Sequence, residues 1–377
     1  MTLDTTSPQR ISRLTPLIEV VARIDALVKP VWPRELATAA AVGRVLAGDV
    51  TAMPTPRVAL ALRDGWAVSA EFTTDASAYA PVPLPAAARI DAGQPMPEGA
   101  DAIAPLDAVT HRHGQVEIIA PVGSGEGVLP AGADANRGAP LARNGQRLRR
   151  VQASVLAACG IERVLVSEPS VRLVRGRPAG DPIIEAAMEL VAGEVAAAGG
   201  RAVRDKTASA GPTHLEEVLD DETADAIIAF GGTGCGRNDS CVATLGRRGR
   251  VEVHGIALAP GETAAFGFVG PRPVLFLPGR LDAALAVWLV LGRRLMAQLT
   301  AAREEEPTIT ARLGRKVASA LGLAEVIPVR LRAGAAEPIA SGYLPLSALA
   351  QADGWILVPA DSEGHPPGAE VVIHAWS

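Results

Sequence analysis

The second half of the chain alternates short apolar runs with amphipathic helical patterns, and this alternation restricts the fold more than any other feature. The runs VRLV (171–174), DAIIAF (225–230) and PVLFLPG (273–279) predict buried strands. Between the first two, the apolar spacing predicts one buried helix face, made of Ile184, Ala187, Met188, Val191 and Val195. After the third, it predicts another, made of Leu281, Leu285, Trp288, Leu289, Leu295, Met296 and Leu299. Strands of this length between such helices predict a parallel α/β sheet.

The flanking segments differ in pattern. Near the N-terminus one apolar stripe predicts a helix, made of Leu14, Leu17, Ile18, Val21 and Ile24, and we expect a second short helix at 34–47. From 49 to about 140, short β-like runs are separated by Pro and Gly, which indicates a β-rich insertion. A further helix is predicted within 150–161, with Gly160 as its C-terminal stop. After an acidic linker at 303–307, the last seventy or so residues indicate a small β unit.

The length of 377 residues exceeds one ordinary domain. We expect four parts: a helical domain at 11–48 and 145–168, a β-rich insertion at 49–144, an α/β domain at 169–303 and a C-terminal β domain at 304–377. A composition that is 48% hydrophobic supplies enough apolar material for several cores. The fold class is therefore α/β with additional all-β parts.

Charge and cysteine content exclude several classes of function. The net charge of −5 argues against a nucleic-acid partner, which usually requires a basic excess. The three cysteines form no C-x-x-C pair, so neither a zinc ribbon nor a disulfide framework is indicated. No apolar run approaches the length that spans a bilayer, and no secretory signal is visible, so we expect a cytoplasmic protein without a membrane partner.

The glycine-rich stretch IIAFGGTGCGRND (227–239) follows a predicted strand and is the main candidate ligand site. Glycines allow close backbone approach and positive φ, so that successive N–H groups can face an anion. Asp239 could hold Mg²⁺, a cation that prefers oxygen ligands. The stretch matches neither the Walker A pattern nor G-x-G-x-x-G, and a tight turn without a ligand remains the alternative. A second strand–loop–helix junction, FLPGRL (276–281), has the same placement.

Other chemistry-bearing residues give weaker signals. Asp64 lies in an Asp-Gly turn, and Asp107 belongs to a group of acids typical of turns and surfaces. His111 and His113 could present two imidazoles on one strand face, but no third metal ligand stands at suitable spacing. Neither G-x-S-x-G nor H-E-x-x-H occurs, so hydrolase and zinc-enzyme functions lack support.

Several segments, in order along nearly the whole chain, resemble one known family. The segments are AVGRVLAGDV (41–50), ALRDGWAV (61–68), AGQPMPEGADAIAPLD (92–107), PAGADANRGAPLARNGQRL (130–148), GGTGCGRND (231–239), FLPGRLDAAL (276–285) and the C-terminal stretch from 346. They are similar to motifs of the MoeA/gephyrin E-domain family, the molybdopterin molybdenumtransferases. One such motif is weak evidence, whereas this many in order indicate a common fold.

The resemblance implies a homodimer of four-part subunits with a MogA-like α/β domain. It also implies binding of adenylylated molybdopterin, insertion of molybdate and release of AMP with help from Mg²⁺. A molybdenum enzyme is a further partner that it suggests. The implied cofactor-binding residues are Gly231, Gly232, Thr233, Gly234, Gly236, Pro278, Gly279 and Arg280. Asp64 and Asp239 are the implied catalytic acids. Asp239 and Asp107 are the implied metal ligands, with Asp64 and Asp107 supplied by the partner subunit.

The departures from the family pattern lie around this implied site. The family's T-G-[DN]-E is replaced by RGRPAGDPI (175–183), where Asp181 is either its remnant or part of the next helix start. The family's K-P-G-K-P is replaced by APGET (259–263), which puts Glu262 in place of a lysine. Arg175, Arg177, Arg237 and Arg280 could restore positive charge. Three hypotheses follow: a working molybdenum-insertion enzyme, a degenerate relative that binds molybdopterin or a partner as a carrier, and a scaffold with no ligand.

Overall fold

A computed structural model describes residues 9–84, 88–112, 115–177, 181–204, 212–237, 239–303 and 307–376. The chain divides into two compact units. The first contains Met1–Gly48, Asn144–Arg149 and Val164–Ser377, and the second contains Asp49–Arg143 and Arg150–Arg163.

The N-terminal segment of the first unit contains one helix and three short strands: β1 (Thr15–Pro16), α1 (Leu17–Leu27), β2 (Arg34–Ala37) and β3 (Val45–Leu46). Helix α1 buries Leu17, Val20 and Ile24. The predicted stripe is therefore wrong at Ile18, which is 78% exposed. The buried residues follow one another at intervals of three and four, from Leu17 to Val20 and from Val20 to Ile24.

The predicted helix at 34–47 is also wrong. Its residues form β2 and β3, which flank the later strand Arg163–Ser167 in a three-stranded sheet. Gly43 adopts a φ of +82°, and its N–H donates to the carbonyl of Leu148 at 2.8 Å. The alanine-rich composition favours helix only weakly, and pairing with a distant strand overrides that preference.

The second unit is rich in short strands, as predicted. Its elements are β4 (Val50–Thr51), β5 (Leu60–Ala61), β6 (Gly65–Val68), β7 (Val82–Pro83), β8 (Ala88–Ile90), β9 (Ala102–Ala104), β10 (Val109–Arg112), β11 (Gln115–Ile118), β12 (Val128–Leu129), β13 (Pro140–Ala142) and α2 (Arg150–Ala158). Two three-stranded sheets, β8-β6-β9 and β10-β11-β7, form its centre. Gly160 follows α2 with a φ of +75°, which confirms the predicted helix stop.

The chain then returns to the first unit and builds a six-stranded sheet. The elements are β14 (Arg163–Ser167), β15 (Ser170–Arg175), α3 (Pro182–Ala197), β16 (Arg201–Arg204), α4 (Pro212–Asp220), β17 (Ala226–Phe230), α5 (Cys241–Arg248), β18 (Arg250–His254), β19 (Ile256–Ala259), β20 (Ala265–Val269), β21 (Arg272–Leu277), α6 (Leu281–Val287) and α7 (Arg293–Thr300). Six of these strands form the sheet, in the order β16-β15-β17-β21-β20-β18, while β14 and β19 belong to other sheets. The first four strands are parallel, as predicted, and β20 and β18 add an antiparallel edge.

The two predicted helix faces are buried. Helix α3 buries Ile184, Ala187, Met188, Val191 and Val195. A π-helical turn, Trp288–Gly292, joins α6 to α7, so the helix is continuous over Leu281–Thr300. We expected no apolar run long enough to span a bilayer, but this helix is long and apolar enough to do so. Because 72% of its most apolar window is buried inside the protein, it resembles the core helix of a folded domain.

The C-terminal part forms a closed barrel. Its elements are β22 (Thr308–Leu313), β23 (Val317–Ala318), β24 (Ala324–Arg332), β25 (Ala335–Pro338), α8 (Leu346–Leu349), β26 (Gly354–Val358), β27 (Gly364–His365) and β28 (Glu370–Ala375). The order β24-β25-β22-β28-β26 closes through pairing of β26 with β24. The alternating apolar residues of these strands form a separate core. The middle of the predicted linker at 303–307 lies outside the described residues.

Candidate functional site

Three loops meet at the carboxyl edge of the parallel strands β15, β17 and β21. The strand ends are in register, with Arg175 opposite Phe230 and Phe230 opposite Leu277. The loop after β15 is tied to β17 by Gly176 N–H donating to Phe230 O at 2.8 Å. The loop after β17 is tied to β21 by Gly231 N–H donating to Leu277 O, also at 2.8 Å. Both junctions singled out in the sequence, 227–239 and 276–281, therefore lie side by side.

The glycines of the 231–239 loop are required for two different reasons. Gly231 and Gly232 have φ values of +80° and +71°, which L-residues rarely adopt. Gly234 and Gly236 do not need positive φ, but a Cβ would stand 2.7 Å and 3.0 Å from Asp239 Oδ2. The predicted positive-φ role of these glycines is thus confirmed for the first pair, and the second pair makes room for the carboxylate.

Side chains from three other segments hold the carbonyl groups of this loop. Gln9 Nε2 donates to Gly232 O at 2.8 Å and to Gly234 O at 2.7 Å. His254 Nε2 donates to Thr233 O at 2.9 Å. The Thr233 hydroxyl lies 3.0 Å from the hydroxyl of Thr263, within APGET. Sequence reasoning missed Gln9 and His254, since neither belongs to a motif.

The amide groups of the loop are differently placed. Within the described part of the chain, the N–H groups of Gly232, Thr233 and Gly234 have no hydrogen-bond acceptor. Gly232 and Thr233 are buried residues, and buried N–H groups are normally paired. A run of such free donors on glycine-rich backbone is suited to an anion. The arrangement can therefore bind phosphate.

Asp239 lies at the end of the loop and is tied to an arginine. Its Oδ1 accepts from Arg177 Nη2 at 2.9 Å, and its Oδ2 accepts from Gly236 N–H at 3.0 Å. The carboxylate is buried, with 6% of the side chain exposed, whereas the Arg177 side chain is 46% exposed. Arg177 comes from RGRPAGDPI, the segment that departs from the family pattern.

Cys241, the first residue of α5, is chemically inert in this setting. Its Sγ lies 3.4 Å from Gly176 O. Burial, reinforced by the negative charge of Asp239, raises the pKa of the thiol to about 12. It is therefore protonated at neutral pH and packs as a small apolar side chain instead of acting as a nucleophile.

Arg280 follows β21 and is held on two sides. Its Nε donates to Asp282 Oδ1 at 3.0 Å, and its Nη2 donates to Asp282 Oδ2. The guanidinium also lies over the ring of Tyr343, 4.9 Å from its centroid. The bond to Asp282, with contributions from Tyr343 and Glu262, raises the pKa of Arg280 further. The side chain is 59% exposed, so part of the guanidinium remains available to a ligand.

The other two candidate arginines differ from each other. Arg175 is paired with Glu185, and this hydrogen bond lowers the pKa of the Glu185 carboxyl. Arg237 is exposed and makes no ion pair with any residue that the structure describes. Three of the four arginines are thus paired with carboxylates, and the local field is less positive than the arginine count indicates.

Known proteins match the chain over almost its full length. Residues 15–160 match the MoeA N-terminal region (domain I and II), residues 170–298 a probable molybdopterin binding domain, and residues 310–376 the MoeA C-terminal region (domain IV). Molybdopterin molybdenumtransferase 2 of Mycobacterium tuberculosis is 30% identical over 288 residues, covering 67% of this chain and 71% of that protein. The chain belongs to the MoeA family. Its role therefore lies in molybdenum cofactor biosynthesis.

Two further relatives extend the match. A putative molybdopterin biosynthesis protein of Methanocaldococcus jannaschii is 26% identical over 375 residues, covering 90% of this chain and 92% of that protein. The crystal structure of a molybdopterin biosynthesis MoeA protein from Pyrococcus horikoshii superposes with a TM-score of 0.80 at 26% identity, covering 96% of this chain and 99% of that one. The multidomain MoeA-like fold expected from the motifs is confirmed.

The remaining candidate residues of this MoeA-family chain lie elsewhere. Asp64 and Asp107 belong to the second unit and are both exposed; Asp64 Oδ1 accepts from Ala92 N–H at 2.8 Å. Asp181 caps helix α3, accepting from Ile183 N–H at 3.0 Å. Of the two alternatives given for it, it is therefore part of the helix start. His111 packs edge-on against Trp66, and His113 lies outside the described residues.

The Mg²⁺ that the family implies does not fit Asp239 as this chain presents it. Both carboxylate oxygens are already bonded to protein donors, one of them a cation. Across the described residues, no group of three or more His, Cys, Asp or Glu side chains could hold a metal ion. In this structure the acid predicted as a metal ligand is the ion-pair partner of Arg177.

Proposed function

We propose that this chain inserts molybdate into adenylylated molybdopterin and releases AMP. The observation that carries the proposal is the run of N–H donors at Gly232, Thr233 and Gly234, which have no acceptor among the described residues; the same loop carries Asp239, which binds the guanidinium of Arg177. Such preorganised donors stabilise negative charge on a phosphate without rearranging during the reaction. Arg280, exposed on the neighbouring loop, supplies a second positive group.

Each part of the loop has a distinct task in this proposal. The free N–H groups and Arg177 bind the phosphate of molybdopterin or of its adenylyl group, while Gln9 and His254 keep the loop carbonyls turned away from it. Pro278 and Gly279 form the adjoining wall, where a Cβ on Gly279 would stand 3.5 Å from Gly231 Cα. Water cleaves the phosphoanhydride bond, so AMP leaves while molybdopterin keeps its own phosphate and carries the inserted molybdate.

We also propose the assembly in which this reaction takes place. The chain acts as a cytoplasmic homodimer whose subunits divide into the four parts expected from the sequence. Asp64 and Asp107 then face the loop from the second unit of the partner subunit, with Asp64 as a catalytic acid. The finished cofactor passes to a molybdenum enzyme.

The direct test is AMP release. Purified protein is mixed with adenylylated molybdopterin and molybdate, with and without Mg²⁺, and AMP is quantified by chromatography. Asp64→Asn should slow release about 10²-fold or more, the usual contribution of an acid–base group. This variant keeps Oδ1 as an acceptor for Ala92 N–H, so its turn is preserved. Asp75→Asn, an exposed acid of the same unit, is the matched control.

A carrier function is the second candidate, and the Arg177–Asp239 pair favours it. If a catalytic acid is neutralised by its own subunit, the site can bind molybdopterin without turning it over. Retained binding of molybdopterin with no AMP release under any condition would reject the enzyme and support the carrier. Absence of binding would reject both functions and leave a scaffold.

A further inference from the structure

We propose that the guanidinium of Arg177 takes the place of a metal cation at Asp239, so that phosphate binding at the 231–239 loop is independent of Mg²⁺. The inference rests on the proposed function only in assuming that this loop binds a phosphate group. It does not depend on molybdate insertion.

Each carboxylate oxygen of Asp239 already accepts a hydrogen bond from the described part of the chain. Arg177 Nη2 binds Oδ1 at 2.9 Å, and Gly236 N–H binds Oδ2 at 3.0 Å. Mg²⁺ requires near-ideal octahedral oxygen ligands at about 2.0–2.1 Å. A guanidinium hydrogen-bonded to one of the two oxygens repels such an ion, so we expect Asp239 to bind Mg²⁺ only weakly while Arg177 is in place.

Arg177 is placed to bridge the carboxylate to an anion. A guanidinium has five N–H donors in a fixed planar arrangement, and its bond to Asp239 uses Nη2. The side chain is 46% exposed, while its carboxylate partner is 6% exposed. The buried carboxylate of Asp239 fixes the guanidinium through this hydrogen bond. The remaining N–H donors of Arg177 can bind phosphate oxygens in the bidentate manner that arginine favours.

The position of Arg177 relative to the loop supports this bridge. A Cβ built on Gly231 would stand 3.4 Å from Arg177 Cγ and Cδ, so the arginine stem packs against the start of the loop. The N–H groups of the next residues, Gly232 and Thr233, have no acceptor in the part of the chain that the structure describes. Backbone donors and guanidinium therefore belong to one site.

Binding of AMP and of inorganic phosphate, measured by calorimetry in EDTA and in excess Mg²⁺, tests this inference. Wild-type affinity should agree within about twofold between the two conditions. Arg177→Ala should weaken binding in EDTA about ten- to hundredfold, the effect of one charge-assisted hydrogen bond. Because this variant frees the Asp239 carboxylate, Mg²⁺ should restore at least part of the affinity to Arg177→Ala and to no other form.

Two further variants sharpen the result. Arg177→Lys keeps the charge but loses the planar fork, and should fall between wild type and Arg177→Ala. Arg248→Ala, at the far end of α5 where the arginine pairs with Glu216 and Asp220, should bind as wild type does. A wild-type protein that binds tenfold tighter with Mg²⁺, fails to bind in EDTA, or is unaffected by Arg177→Ala overturns the inference. AMP binding that requires Mg²⁺, in a protein that releases AMP when Mg²⁺ is present, would overturn the inference and leave the proposed function intact. Binding that is independent of the metal, in a protein that releases no AMP, would support the inference and reject the proposed function.

Discussion

Substituting alanine for the two glycines that open the 231–239 loop should have unequal effects, although both have positive φ. At Gly231 the three atoms nearest to a Cβ are side-chain atoms of Ile184 and Arg177, at 3.3–3.4 Å. At Gly232 it would lie 2.4 Å from Cys241 Sγ and 3.0 Å from Gly176 O. The first contacts can relax, whereas the second involve a buried thiol and backbone.

The expected magnitudes follow from these contacts. The left-handed conformation costs a non-glycine residue about 1–2 kcal/mol, so Gly231→Ala should destabilise the protein by about that amount. Gly232→Ala adds an overpacking cost of about 1–3 kcal/mol. Because much of that addition comes from Sγ, Gly232→Ala and Cys241→Ala should couple favourably by about 0.5–3 kcal/mol.

Urea unfolding followed by circular dichroism measures all four variants, and AMP binding reports whether the loop keeps its shape. Gly231→Ala should keep most of its binding, while Gly232→Ala should lose it and the double variant should regain part of it. Recovery should stay incomplete, because Cys241 Cβ and Gly176 O would still lie 3.3 Å and 3.0 Å from the new methyl group. Equal destabilisation by the two single variants, or a coupling energy of zero, would refute the reasoning.

Four other outcomes are expected. Iodoacetamide near pH 8 should modify exposed Cys235 and spare buried Cys241. Since the pKa of Cys241 is raised to about 12 in the fold, its unfolded form loses the proton first, and stability should fall as pH rises from about 9 towards 12; Cys241→Ala should lessen that fall. Arg294 lowers the pKa of Asp25 by a bidentate hydrogen bond, so stability should fall as acid takes the pH below the ordinary carboxyl value, with a smaller fall in Asp25→Asn on thermal denaturation. Arg280→Ala should weaken AMP binding, with a loss that shrinks as salt rises; unchanged affinity would exclude Arg280 from the site.

The fold could be predicted where local pattern and tertiary packing agree. The buried face of α3 follows from spacing alone, because one side of that helix packs on the sheet along its whole length. The segment 34–47 could not be predicted, since its strands pair with residues more than a hundred positions later. The prediction for Ile18 failed for a related reason: this apolar residue is next to the buried stripe in sequence, but its side chain is exposed.

The site divides in a similar way. The backbone role of Gly231 and Gly232 is encoded locally, since few other residues tolerate their φ values. The partners of the loop are not encoded locally: Gln9 is 225 residues from Gly234, and Arg177 is 62 residues from Asp239. The sequence suggested that nearby arginines replace the lost lysines. Only the structure shows which carboxylate pairs with Arg175, Arg177 and Arg280.

Glu262 shows how the contacts change an argument based on charge. Replacing a family lysine by glutamate would by itself reverse the field at a phosphate site. In the structure, Glu262 Oε2 accepts from Gly261 N–H at 3.0 Å, within its own turn, and its charge helps to raise the pKa of Arg280. The neighbouring Thr263 meanwhile contacts Thr233 of the loop. The altered APGET segment thus supports the arginine-based site through contacts with the turn and the loop. If the loop binds phosphate as proposed, we interpret the loss of the lysines and the presence of Arg177 and Arg280 as one change, in which arginines held on buried carboxylates supply the positive charge.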